Sequence, residues 1–252
     1  MTASAPSSRK AALRSLLWPA LMTALALPLL IGLGVWQMER LAWKEQLLAE
    51  VAEGLGKAPA PLETPPDAWK ALVTREYRPV TVTGQFRHGD ERHVFASQDG
   101  VPGWHVYTPL ETEGGHVVLV NRGFVPDALK DPATRAEGQV AGTVTVTGLL
   151  RKPGVHGWFE PEPDRARNMW YWRDLTGFTD SLAPGVASER VLPLFVDAAA
   201  SPENPGGWPK GGVTRLDIPN RHLEYALTWF GLAGTLLVVF GVFAWTRLRA
   251  AS

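Results

Sequence analysis

Cysteine is missing from all 252 residues. Its absence excludes disulfides, thiol nucleophiles and thiolate metal sites. The familiar catalytic signatures are missing too: there is no Gly-x-Ser-x-Gly elbow, no Gly-rich phosphate loop and no His-Glu-x-x-His zinc helix. Net charge is zero, because 25 basic and 25 acidic residues cancel. Acids are absent from both ends, where Arg9, Lys10, Arg14, Arg247 and Arg249 cluster. Without those five bases, 20 basic residues face 25 acidic ones, and the rest of the chain carries about −5. That balance argues against a nucleic-acid partner, which needs a basic surface.

Two charge-free apolar runs are what the chain does contain, at residues 16–36 and 225–245. A helix of either length is about 30 Å long and spans a bilayer core. Basic residues beside short tails resist translocation, so both termini are expected in the cytoplasm. A cleaved signal peptide is the alternative for the first run, since Ala24-Leu25-Ala26 has the small-x-small form. However, apolar residues continue about ten positions beyond it, whereas a signal h-region runs about 7–15 in all. The Arg- and Ser-containing start also has a short likeness to a transit peptide.

The first helix is expected to outrun the membrane. Residues 41–51 lack Gly and Pro, and their apolar positions 43, 47, 48 and 51 keep helical spacing. Gly54 and Gly56 should stop it, and Pro59, Pro61, Pro65 and Pro66 then make a linker. Pro28 predicts a kink inside the span. Strands follow. Residues 80–86 and 143–150 alternate, while 116–125 form the near-continuous apolar run of a strand buried on both faces. Weaker strands are expected at 93–97, 104–110 and 191–196, separated by Gly, Asp and Pro turns. Only residues 173–182 suggest a soluble helix, and 204–212 read as a loop returning the chain to the membrane.

Strands without intervening helices favour antiparallel pairing. The expected fold is a membrane protein with two transmembrane helices enclosing a mainly antiparallel β domain, a sheet or small barrel, outside the cytoplasm. Its parts are a tail (1–15), helix 1 (16–36), the β-rich domain (37–221), helix 2 (222–245) and a tail (246–252).

Chemistry is harder to find. His88, His93, His105, His116 and His156 fall in expected strands or turns. His88 and His93 are close enough in sequence to share a metal, but isolated histidines more often sit at a surface or core edge. Glu160, Glu162 and Asp164 alternate with prolines and read as a solvated loop. His222 differs by its place. It follows Asn220, a good helix N-cap, and stands at the outer lip of the second span. Helical spacing puts His222, Tyr225 or Ala226, Trp229 and Ala233 on one face. The imidazole either ligates a planar, lipid-soluble, metal-bearing molecule such as haem, or is an interfacial polar residue without a ligand. Trp36, Arg40, Trp43 and Leu47 form an equivalent stripe on the first helix. It reads as an aromatic anchor with snorkelling cations, or as a site where Arg40, with Arg221, pairs with haem propionates.

Four segments are similar to one known family. Leu33-Gly34-Val35-Trp36-Gln37-Met38-Glu39-Arg40-Leu41-Ala42-Trp43-Lys44 resembles the G-x-W-Q-x-x-R-x-x-W-K signature of the surfeit locus assembly-factor family. Pro102-Gly103-Trp104-His105-Val106-Tyr107-Thr108-Pro109-Leu110 resembles its P-G-x-x-V-x-T-P-L segment. Val118-Leu119-Val120-Asn121-Arg122-Gly123-Phe124-Val125-Pro126 resembles its V-N-R-G-W-V-P strand, with Phe124 where Trp is usual. Asn220-Arg221-His222-Leu223-Glu224-Tyr225-Ala226-Leu227-Thr228-Trp229-Phe230-Gly231-Leu232-Ala233 resembles its N-x-H-x-x-Y-A-x-T-W-F-G-L-A ending. The order is the family's, and the matches cover the chain between its tails.

This resemblance implies a factor for building cytochrome c oxidase that binds haem a at the membrane boundary and helps place it in the catalytic subunit. It puts the family's suspected haem contact on His222; Trp229, Tyr225, Arg40, Arg221 and Trp36 remain the neighbours that helical spacing and charge suggest. The implied partners are the oxidase catalytic subunit, the enzymes of haem a synthesis and membrane lipid. The implied location is the bacterial cytoplasmic membrane, central domain periplasmic, ahead of the mitochondrial inner membrane. No enzymatic activity is expected. A haem-independent scaffold for an oxidase intermediate is the competing reading.

Overall fold

A computed structural model describes residues 6–62, 69, 72–73, 76–182, 186–214 and 220–250. Pro65 and Pro66 of the expected linker lie outside them. Contacts divide the chain into two units, residues 1–49 with 217–252 and residues 50–216.

The first unit is built from two helices, most of α1 (Pro6–Leu55) and α3 (His222–Arg249). Helix α1 passes through Pro19 and Pro28 without interruption and outruns the apolar run at both ends. It stops where glycine was expected to stop it, with Gly56 N bonded to Ala52 O. Both helices are long and apolar enough to cross a membrane. Leu17, Trp18, Leu25 and Leu29 on α1, and Leu227, Val238 and Val239 on α3, are mostly exposed. Water would penalise such surfaces, whereas hydrocarbon solvates them.

Within the first unit, what the helices bury is small or polar. Thr23, Gly34 and Gln37 are buried on α1, and Ala226 and Ala233 on α3. A Cβ added to Gly34 would come within 2.5 Å of Phe230 Cε1, so the missing side chain is what admits the ring. Close packing over small residues is how helices associate when burial from water supplies no force. Asn220 does not cap α3 as its sequence position suggests. Arg221 occupies the N-cap position without a side-chain cap, and the buried Asn220 Oδ1 has no hydrogen-bond partner among the described residues. The helix begins one residue later than Asn220 could serve.

The second unit is a small β-barrel. Its strands are β1 (Ala60–Pro61), β2 (Pro79–Phe86), β3 (Arg92–Gln98), β4 (Val101–Thr112), β5 (Val117–Pro126), β6 (Thr143–Arg151) and β7 (Val191–Ala198). They follow the order β1-β2-β6-β7-β5-β4-β3, and a further β2–β4 pairing closes the ring. All pairs around the ring are antiparallel except β5–β7, which are parallel. Strand β6 intervenes in sequence between the two parallel strands, and the short helix α2 (Leu175–Asp180) lies in the connection from β6 to its antiparallel neighbour β7.

Strand β5 is buried along nearly its whole length. Val118 and Val120 join Val80, Val82, Leu110, Leu150 and Leu194 in one cluster. Their neighbours Val117 and Leu119 join Tyr107, Trp170, Phe178 and Phe195 in another. Alternation across the strand therefore feeds two cores, which is why its sequence is apolar throughout.

Residues 204–212 are a loop, as expected, but pair with the sheet on the way. Phe124 N donates to Lys210 O at 2.8 Å, and Lys210 N donates to Phe124 O at 2.9 Å. Gly123, at φ +130°, makes this approach possible, since a Cβ there would collide with the Lys210 carbonyl.

Candidate functional site

His222 opens α3, and its Nδ1 lies 2.7 Å from Oε1 of Gln37 on α1. A carboxamide oxygen only accepts, so with Oε1 of Gln37 facing the ring Nδ1 donates, and in the neutral form of the imidazole the lone pair then lies on Nε2. No other hydrogen bond to this ring is found among the described residues. Histidines that bind metals are held in this way, with one nitrogen donating to an oxygen and the other left to ligate. Gln37 is buried, so its amide has little freedom to turn. Gln37 stood inside a family-like motif but had no role assigned from sequence. Its signal was a polar side chain at the end of an apolar run, one turn from Arg40.

The surroundings differ from the simplest sequence picture. Ala226 and Ala233, which helical spacing puts on the face of His222, are buried in the first unit, 0% and 5% exposed. Trp229 is half-buried. Tyr225 and Trp36 are each 50% exposed and offer aromatic faces near the lip of the pair. Arg40 stacks on Trp43, with its guanidinium carbon 4.4 Å from the ring centre. Arg221 pairs with Glu224 at 2.9 Å, both side chains being exposed. Such a pair is weak and exchangeable in water. An acidic ligand would therefore compete for Arg221 and meet Arg40 over an aromatic face.

The barrel unit holds polar clusters that sequence reasoning missed. Glu91 accepts from His93 Nε2 at 2.8 Å and from both terminal nitrogens of Arg135, and all three side chains are buried. Burial alone would raise the Glu91 carboxyl, but the bonds from His93 and Arg135 outweigh it and hold the group below its ordinary value. Asp197 accepts from Asn121 at 3.0 Å, Arg151 at 2.9 Å and Thr214 at 2.7 Å. Arg122 is buried over the Phe86 ring and reaches Gly138 O and Asn204 Oδ1, while its Nε and Nη1 have no partner among the described residues. Burial pushes it down to about 10. These clusters join strands and loops far apart in sequence, so no local pattern announces them.

The barrel histidines have separate tasks. His88 Nε2 bonds Val140 O at 2.9 Å, and His93 is held by Glu91, so the two form no common metal site. Among the described residues no three metal-ligating side chains converge. Glu160 and Glu162 are exposed, as a solvated loop requires.

Comparison with known proteins bears on the same residues. The profile of the SURF1 family matches residues 24–234, a stretch that contains both Gln37 and His222. A SURF1-like protein of Monosiga brevicollis is 39% identical over 231 residues, covering 86% of this chain and 82% of its own. Surfeit locus protein 1 of Homo sapiens is 38% identical over 219 residues, covering 80% and 69%. That of Rattus norvegicus is 37% identical over 217 residues, covering 80% and 67%.

Proposed function

Because the chain belongs to the SURF1 family, we propose that it is a cytochrome c oxidase biogenesis factor. In this reading it binds haem a as cargo at the membrane boundary and assists its insertion into the catalytic subunit. The observation that carries the proposal is the His222–Gln37 pair, which holds an imidazole with a free Nε2 where an apolar helix begins. A neutral imidazole nitrogen is a good axial ligand for haem iron. A single such ligand captures the cargo and can still give it up to a site with better coordination.

The neighbouring residues fit that cargo. Tyr225, Trp36 and Trp229 supply aromatic surface for a greasy porphyrin. Arg40 and Arg221 supply guanidinium groups for its propionates. Lipid receives the apolar tail of haem a, so the partners are lipid, the enzymes that make haem a and the receiving oxidase subunit. The role is binding and handover rather than bond-making. Basic residues beside both apolar runs support a reading in which both termini are cytoplasmic and the barrel unit is periplasmic, at a bacterial cytoplasmic membrane. The mitochondrial inner membrane is the alternative location, since the relatives named above are eukaryotic.

A haem-independent scaffold is the second reading. It draws on the burial of Ala226 and Ala233, which gives the small residues of α3 a packing role with no cargo beneath them. One purification separates the two. The full chain from cells making haem a should carry its visible spectrum, and His222→Ala should lose most of that absorbance while staying in the membrane. Equal haem in both proteins removes His222 from the site, and a colourless wild-type protein leaves only the scaffold.

A further inference from the structure

Trp158 and Phe159 are 93% and 96% exposed, and Val155 nearby is 88% exposed. No other large apolar side chain among the described residues projects so far, including those on the two apolar helices. The turn that carries them is nevertheless built. His156 stacks on Trp172 with ring centres 4.2 Å apart and planes within 22°. His156 Nε2 donates to Glu160 O at 2.9 Å, Gly157 N donates to Glu160 Oε2 at 2.8 Å, and Glu160 N donates back to Gly157 O at 3.0 Å. Gly154 N donates to Arg173 O at 2.9 Å and ties the segment to the chain that precedes α2. A loop that merely trailed in water would fold its aromatics back onto the barrel. This one spends its hydrogen bonds holding them away from it.

Charge narrows what could cover such a tip. Between β6 and the N-cap of α2, Lys152, Arg165, Arg167 and Arg173 face Glu160, Glu162 and Asp164, a balance of about +1. The chain between its tails is about −5, so this stretch is locally inverted. Of the acids, Glu160 is occupied with the turn and Asp164 with Arg167. Lys152 and Arg165 remain exposed cations. Tryptophan and phenylalanine beside exposed basic residues match the layer where acyl chains meet anionic headgroups.

We propose that the Trp158–Phe159 turn inserts into the interfacial layer of a lipid membrane bearing anionic headgroups. The two apolar helices tether the same chain to a bilayer, so a weak contact of two aromatic side chains suffices at that effective concentration. This second foothold is independent of haem and of His222.

The lack of cysteine makes the test clean. Phe159→Cys gives a unique thiol for an environment-sensitive fluorophore in the full-length chain, reconstituted in phosphatidylcholine vesicles with or without phosphatidylglycerol. A label at Glu113→Cys, in the exposed turn between β4 and β5, is the control. At position 159 the emission should shift to the blue, and lipid-borne nitroxides should quench it at least about twofold more than at 113. The effect should grow with phosphatidylglycerol and fall when Trp158→Ser is added. Emission like the control, quenched only by iodide from water, overturns the proposal. Shielding from both quenchers overturns it in favour of a protein contact, and quenching indifferent to phosphatidylglycerol overturns the anionic assignment.

Discussion

His222 Nδ1 donates to Gln37 Oε1 over 2.7 Å, and the bond joins the start of α3 to α1 near the end of its apolar run. It fixes both the tautomer and the plane of the imidazole. If His222 holds haem iron, Gln37 is its orienting partner, and losing such a partner typically weakens metal binding about 10–100-fold. Gln37→Leu should therefore lower haem affinity by that order in a titration of the purified full chain. Gln37→Glu, which keeps an acceptor oxygen, should lose much less. Wild-type affinity in Gln37→Leu would remove the orienting role and leave His222 to be tested alone.

The same helix pair depends on a missing side chain. Phe230 occupies the space in front of Gly34, and any Cβ there meets its ring. Gly34→Leu overpacks the contact, a change that usually costs about 1–3 kcal/mol. The cost should appear as a lower melting temperature in detergent. Phe230→Ala empties the same space, so the double variant should recover a large part of the loss. Strict additivity of the two single changes would mean that the residues do not compete for one space.

These two relationships mark where sequence reading stops. The apolar runs, the six longer strands and the glycine stop after α1 were legible because each follows from a local period or breaker. Strand β5 was legible as doubly buried because its apolar run has no alternation. Barrel closure through β2 and β4, and the parallel β5–β7 pair, were not, since both depend on which distant strands meet. Asn220 has the composition of a cap, but the helix starts at His222, so capping chemistry alone misplaced the boundary. His222 stood out by location. Gln37, some 185 positions away in sequence, is joined to it only through tertiary packing. Ala226 and Ala233 share the face of His222 as helical spacing requires, yet spacing could not say that helix packing fills it.

Gly123 tests the closure of the loop over β5. Its φ of +130° strains any L-residue, and a Cβ would strike the Lys210 carbonyl backbone. Gly123→Ala should break the paired bonds between Phe124 and Lys210, two hydrogen bonds of about 1 kcal/mol each besides the strain. Protease cleavage within residues 204–212 should become faster while the apolar helices stay in the membrane. Unchanged cleavage would show that the loop is held by other contacts, such as those of Asn204 with Arg122.

Glu91 links the barrel to pH. Its side chain and those of His93 and Arg135 are almost wholly buried, so neither the carboxylate nor the guanidinium has water to fall back on. Glu91→Gln leaves Arg135 as a buried cation facing a neutral amide, and breaking a buried pair from one side costs about 3–5 kcal/mol. The wild-type carboxyl is opposed by burial but held below 4.5 overall by the His93 and Arg135 bonds. A carboxyl depressed on folding adds stability that is complete above its unfolded value and disappears as pH falls through its folded value. Wild-type stability should thus decline as pH drops below 4.5, and the decline should be shallower in Glu91→Gln, which has no proton to take up at that position. Chemical denaturation of the full chain in detergent, followed by tryptophan fluorescence at several acidic pH values, measures both slopes. Parallel slopes would assign the acid sensitivity to other carboxylates, with Asp197 and its Arg151 partner the next to replace.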